Sequence, residues 1–208
     1  MQLETIRQAG IIAILRKVPQ EKLDSYISAV VKGGVTVLEM TMDSPGVLQS
    51  IEHFRQLYDG PVFVGAGTVL SVQQAEEAVA AGAQFLVSPN VDRHVIAAAQ
   101  RLGVPIMPGV LTPTEIATAK QEGVKIVKLF PARVFGPKYL SDLRGPFADM
   151  EFIPTGGVDY DNAMDFIHAG AVGVGIGSSL LGNAEQGQDA EEWIAQKVQR
   201  LLAAIMAV

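Results

Sequence analysis

Short apolar runs alternate along the chain with longer segments whose apolar positions follow a helical period. The runs are Ile11–Leu15, Val35–Met40, Val62–Val64, Phe85–Val87, Ile106–Met107, Ile126–Leu129, Phe152–Ile153 and Val172–Ile176. A glycine stands shortly before each, at Gly10, Gly34, Gly60, Gly82, Gly103, Gly123, Gly145 and Gly170, at intervals of 20 to 26 residues. Glycine just past a helix supplies positive φ without steric cost. Runs this short, apolar on both faces, fit parallel strands covered by helices. Between runs, Leu23, Tyr26, Ile27, Val30 and Val31 line one helical face. Ser71 with Gln74, and Thr112 with Glu115, read as capping boxes, with Pro113 opening the second helix. Asp92 and Asp159 read as N-caps. The unit after Gly145 is the least regular, with a short helix around Tyr139–Leu143 before it. An amphipathic helix is expected from about Ala190 to Ala204.

Eight strand–helix units predict an α/β chain forming a single compact (β/α)8 TIM barrel, one domain over residues 1–208. The competing architecture is an open doubly wound sheet. That sheet does not require eight evenly spaced units, and no Gly-x-Gly-x-x-Gly follows the first strand. Composition agrees: 49% hydrophobic and 18% charged residues can bury a large core. No apolar run approaches the ~18 residues of a membrane span. The N-terminus lacks a basic leader region, so a cytoplasmic location and no membrane partner are expected. With Cys 0, disulfides, thiolate metal sites and a cysteine nucleophile are excluded. A net charge of -6 argues against a nucleic-acid partner.

A barrel of this kind places its chemistry at the C-terminal strand ends. Lys128 lies in the apolar strand Val124–Phe130, on one face with Ile126 and Phe130. Such a lysine either snorkels from the strand end or points into the mouth, where apolar surroundings favour the neutral amine needed for Schiff-base chemistry. Glu39 shares a face with Val37 and Thr41. It is either a carboxylate at a fraying strand end or an inward group needing a partner, and Lys128 is the natural partner. A nucleophile with a general acid/base is the functional reading of that pair. Thr155-Gly156-Gly157 ends strand seven, and Gly175-Ile176-Gly177-Ser178 ends strand eight before a short helix. These are either tight turns only or the paired loops with which barrels bind phosphate. His53, His94 and His168 fall in helices without metal-ligand spacing, so no metal is expected. Trp193 is expected to pack the last helix.

These residues together resemble the 2-keto-3-deoxy-6-phosphogluconate (KDPG) aldolases, also called 4-hydroxy-2-oxoglutarate (KHG) aldolases. The resemblance spans roughly Ile6 to Gly182. It rests on Gly33-Gly-Val-Thr-Val-Leu-Glu39-Met-Thr41, Gly65-Ala-Gly-Thr-Val-Leu70, Val87-Ser-Pro89, Val127-Lys-Leu-Phe-Pro131 and Pro154-Thr-Gly-Gly-Val158. It implies a metal-independent class I aldolase with no cofactor. Such an enzyme releases pyruvate and glyceraldehyde 3-phosphate from a phosphorylated keto-deoxy sugar acid, and pyruvate and glyoxylate from 4-hydroxy-2-oxoglutarate. It implies Lys128 as the Schiff-base lysine and Glu39 as the acid/base. Thr68, Pro89, Phe130 and Thr155 are implied around the pyruvyl group; Gly156, Gly157, Gly177 and Ser178 are implied around the phosphate. A homotrimer is implied as well. The chain departs from a Glu-x-Thr-x-Arg pattern that many members use to hold the substrate carboxylate, because Asp43 occupies the arginine position. Arg16, ending strand one, is expected to take that role, as in relatives that include the phosphogalactonate aldolases. The alternatives are an aldolase for the galactonate epimer and a phosphosugar isomerase or epimerase barrel.

Overall fold

In the computed structural model, residues 2–60, 62–181 and 190–208 are described. Nine strands are assigned among them: β1 Ile11–Leu15, β2 Val37–Thr41, β3 Phe63–Gly67, β4 Leu86–Val87, β5 Ile106–Met107, β6 Gly109–Val110, β7 Ile126–Leu129, β8 Glu151–Pro154 and β9 Val174–Ile176. All pairings are parallel, in the orders β5-β4-β3-β2-β1-β9 and β6-β7-β8. β5 and β6 are the two halves of the fifth barrel strand, interrupted at Pro108, which has no N–H for the ladder. The Pro108 carbonyl accepts from the Lys128 N–H at 3.0 Å, so the break does not open the wall. A bridge between Thr155 and Gly175 closes β8 onto β9. Eight strand positions thus form the expected closed barrel.

Helices α2 (Gln20–Lys32), α3 (Val47–Leu57), α4 (Val72–Ala80), α5 (Arg93–Leu102), α6 (Pro113–Gln121), α7 (Gly136–Arg144) and α8 (Ala163–His168) follow successive strands. α9 (Ser178–Leu181) and α10 (Ala190–Met206) complete the outer layer with them. Alternation along each strand divides the core in two. Leu38, Met40, Val127 and Leu129 face the helices, whereas Ile12, Val37, Phe63, Ile126 and Ile153 fill the barrel. A first helix, α1 (Gln2–Gln8), was not foreseen from the periodicity. It inserts Ile6, followed by Ala9, into the barrel floor. Arg7 on its other side donates to both oxygens of Glu151 at 2.8 Å.

Local expectations hold with four exceptions. Seven of the eight introductory glycines take positive φ; Gly145 is at -55°. The chain there continues in turns through Phe147 and Met150, so no left-handed reversal is needed before β8. Asp159 accepts from the N–H groups of Asp161 and Asn162, and so caps a turn that precedes α8 rather than α8 itself. Trp193 is 40% exposed, and Lys197 covers its ring at 4.3 Å instead of the core. The expected caps form at Ser71, Asp92 and Thr112; Thr112 makes a full capping box with Pro113, whereas the Gln74 side chain accepts from the Leu70 N–H instead of that of Ser71, so the first box is only half formed.

Candidate active site

Period-two alternation sends Glu39 from β2 and Lys128 from β7 into the barrel mouth, each one pleat above an apolar interior residue, Val37 and Ile126. Their exposures are 2% and 5%. Lys128 Nζ lies 3.5 Å from Glu39 Oε1. The contact is an ion pair without hydrogen-bond geometry, and Oε1 has no hydrogen-bond partner among the described residues. A buried carboxylate oxygen left in that state is costly. It is also free to accept a proton from the amine or from a group brought beside it. Gly67 provides the space for this carboxylate, since a Cβ there would overlap Glu39 Oε1. Gly175 does the same for Thr155 Oγ1. Phe130 covers the ammonium at 5.3 Å from its ring centroid.

A cavity of about 530 Å³ opens above the lysine. Arg16, Lys128, Phe130 and Thr155 line it. Gly156, Gly157, Gly177 and Ser178 line the same cavity, with Ser179 and Asp159. Gly156 and Gly157 have φ of +87° and +83°, a pair of left-handed residues that only glycine adopts without strain. A Cβ on Gly156 would also press on the Phe130 ring at 3.0 Å. Two side-chain bonds tie α9 to the β8 loop: the Ser179 hydroxyl donates to the Val158 carbonyl at 2.9 Å, and the Tyr160 hydroxyl donates to the Leu180 carbonyl at 2.8 Å.

Arg16 is held from two sides at the rim. It donates to Thr68 Oγ1 at 2.7 Å and to Asp43 Oδ2 at 3.2 Å. Lys17 Nζ is 3.5 Å from the same Asp43 oxygen. Partial burial pushes the Asp43 carboxyl up, but the Thr41 hydroxyl, Arg16 and Lys17 together hold it below its ordinary range. Thr68 carries φ +57° and Lys17 φ +51°, sparsely populated values for residues with a Cβ. The residue at the missing arginine position therefore orients a neighbouring arginine.

The fold brings Arg16, Lys128, Phe130, Thr155, Gly156, Gly157, Gly177 and Ser178 to one cavity, with Glu39 behind Lys128 and Thr68 behind Arg16. Pro89 is not among the lining residues; its backbone lies over Gly109 at the break in the fifth strand. Sequence reasoning missed Arg133, which lines the cavity from the turn after β7. Its only sequence signal is a charge shortly after Phe130-Pro131, where a loop residue reads as solvated.

The model of the family described as KDPG and KHG aldolase matches residues 3–198. The chain is 35% identical over 181 residues to 2-dehydro-3-deoxy-6-phosphogalactonate aldolase of Escherichia coli (strain K12), covering 86% of this chain and 87% of the relative. It is 38% identical over 154 residues to the KHG/KDPG aldolase of the same organism, covering 74% and 71%. Among solved structures, KDPG aldolase from Legionella pneumophila, with pyruvate captured as a covalent carbinolamine, superposes with a TM-score of 0.83 at 26% identity. The superposition covers 99% of this chain and 98% of that one. With a lysine and a carboxylate meeting in the mouth of a closed barrel, and a family match over nearly its whole length, the chain belongs to the KDPG and KHG aldolases, which are Schiff-base lyases.

Proposed function

We propose that this enzyme cleaves 2-keto-3-deoxy-6-phosphogluconate to pyruvate and glyceraldehyde 3-phosphate, and 4-hydroxy-2-oxoglutarate to pyruvate and glyoxylate. The observation that carries it is the buried Lys128–Glu39 contact at 3.5 Å below a cavity of about 530 Å³. Glu39 takes a proton from Lys128, and the free amine adds to the C2 carbonyl. Glu39 returns that proton to the carbinolamine hydroxyl, which leaves as water and gives the cationic imine. Glu39 then removes the C4 hydroxyl proton, C3–C4 breaks, and its electron pair enters the imine as the aldehyde departs. The enamine is protonated at C3, and water releases pyruvate and regenerates the amine. Proton transfer by a placed group is worth roughly 10²–10⁴ in rate. Arg16 binds the C1 carboxylate, supported by its orientation by Asp43 and Thr68. Phe130 and Thr155 flank the pyruvyl group, and the loops at Gly156, Gly157, Gly177 and Ser178 take the phosphate. Pro89, whose backbone lies over Gly109, completes the surroundings of the pyruvyl group.

Incubation with pyruvate and borohydride is expected to give a reduced-pyruvate adduct on Lys128, seen by mass spectrometry and lost in Lys128→Ala. An active protein that gains no mass overturns the reading. A second substrate reading, the C4 epimer 2-keto-3-deoxy-6-phosphogalactonate, is favoured by the longer coverage of the galactonate relative. Comparing kcat/KM for the two epimers decides between them. We further propose a homotrimer, supported by the exposed apolar side chains Leu70, Val134 and Phe135; sedimentation as a monomer at micromolar concentration rejects it.

A further inference from the structure

Three cations line the active-site cavity, and their partners differ. Lys128 faces Glu39 at 3.5 Å, and Arg16 faces Asp43 at 3.2 Å. Arg133 has no carboxylate within 4 Å among the described residues, although it lines the same cavity. Asp159, the acidic residue on that wall, already accepts from two backbone N–H groups. Arg133 is nonetheless fixed at its base. Its N–H donates to the Gly156 carbonyl at 3.0 Å. Its stem lies across Gly157, where a Cβ would approach Arg133 Cβ to 2.5 Å and Cδ to 2.9 Å. Arg133 is therefore carried by the double-glycine loop, in the cavity that Arg16 also lines.

We propose that Arg133 is a specificity-determining residue that binds the terminal phosphate of the substrate, so that the cavity holds one arginine for each anionic end. The proposal rests on the aldolase reading above. An unpaired guanidinium in a cavity attracts an anion, and its planar fork suits phosphate oxygens. The glycine loop supplies backbone N–H groups, and Arg133 adds a positive charge carried by that same loop. Its exposure to solvent moderates the attraction and makes it sensitive to salt.

The test compares the wild type with Arg133→Gln, which keeps the stem over Gly157, and Arg133→Lys, which keeps the charge. Each is assayed with the phosphorylated keto-deoxy acids and with unphosphorylated 4-hydroxy-2-oxoglutarate. The preference for phosphorylated substrate, as a ratio of kcat/KM values, is expected to fall about 10-fold in Arg133→Gln, mainly through KM. It is expected to recover in part in Arg133→Lys, and the wild-type preference to shrink with added salt. An unchanged ratio, or equal losses on both substrates, overturns the proposal, and so does a wild type that does not favour phosphorylated acids. Borohydride trapping of pyruvate on Lys128 needs no phosphate. Its failure in the wild type would sink the aldolase reading, whereas trapping with an unchanged ratio sinks only the role of Arg133.

Discussion

Glu39 is held by what its neighbours lack. Gly67 has no side chain, and Gly67→Ala puts a methyl group into the carboxylate. Overpacking of this kind costs about 1–3 kcal/mol, and the displaced acid/base is expected to lower kcat by at least the ~10² expected for a placed proton-transfer group. Urea unfolding and steady-state kinetics on one preparation check both. The pair also predicts an inverted stability order. Lys128→Ala leaves Glu39 buried without its cation, a loss of about 3–5 kcal/mol. Lys128→Ala combined with Glu39→Gln removes both charges and is expected to be more stable than the single variant. Equal or lower stability of the double variant would mean the pair is not coupled.

At the scale of elements, the short α9 is positioned by the β8 loop rather than by its own length. Tyr160 contributes through its bond to Leu180, and burial pushes its phenol up to about 12. The unfolded chain loses that proton near pH 10 while the folded chain keeps it. Stability linked to Tyr160 is therefore intact below pH 10 and lost as pH rises from 10 towards 12. Tyr160→Phe is expected to lack this alkaline decline, to cost about 1 kcal/mol at neutral pH from the lost hydrogen bond, and to raise KM for the phosphorylated substrate. Chemical denaturation at several pH values, with parallel kinetics, reads all three.

Over the whole molecule, the barrel separates stability at its floor from chemistry at its mouth. Ile6 is 1% exposed and belongs to the interior cluster, on the face opposite the strand ends that carry Lys128 and Glu39. Ile6→Ala is expected to lower stability by about 2–5 kcal/mol with kcat/KM within twofold of wild type, roughly the scatter of a neutral surface change. A matching loss of activity would show that floor and mouth are coupled.

The strand–helix alternation, most introductory glycines, the caps at Ser71, Asp92 and Thr112, and the inward phase of Glu39 and Lys128 were legible in the sequence. Each depends on local periodicity or on hydrogen bonds to near neighbours in the chain. The boundaries of β2, β3 and β9 shifted by a few residues, because ladder pairing, not hydropathy, ends a strand. Helix α1 was illegible because seven residues carry too little periodicity to stand out, and only the barrel floor gives Ile6 a place to be buried. Closure of the sheet alone placed Glu39 against Lys128, Asp43 against Arg16, and Arg133 over Gly157. These contacts join residues 89, 27 and 24 positions apart in the chain. The sequence determines which side chains each strand presents, since that is fixed by pleat and cap. Which charges are paired and which is left free depends on distances across the barrel, and only the tertiary structure decides those.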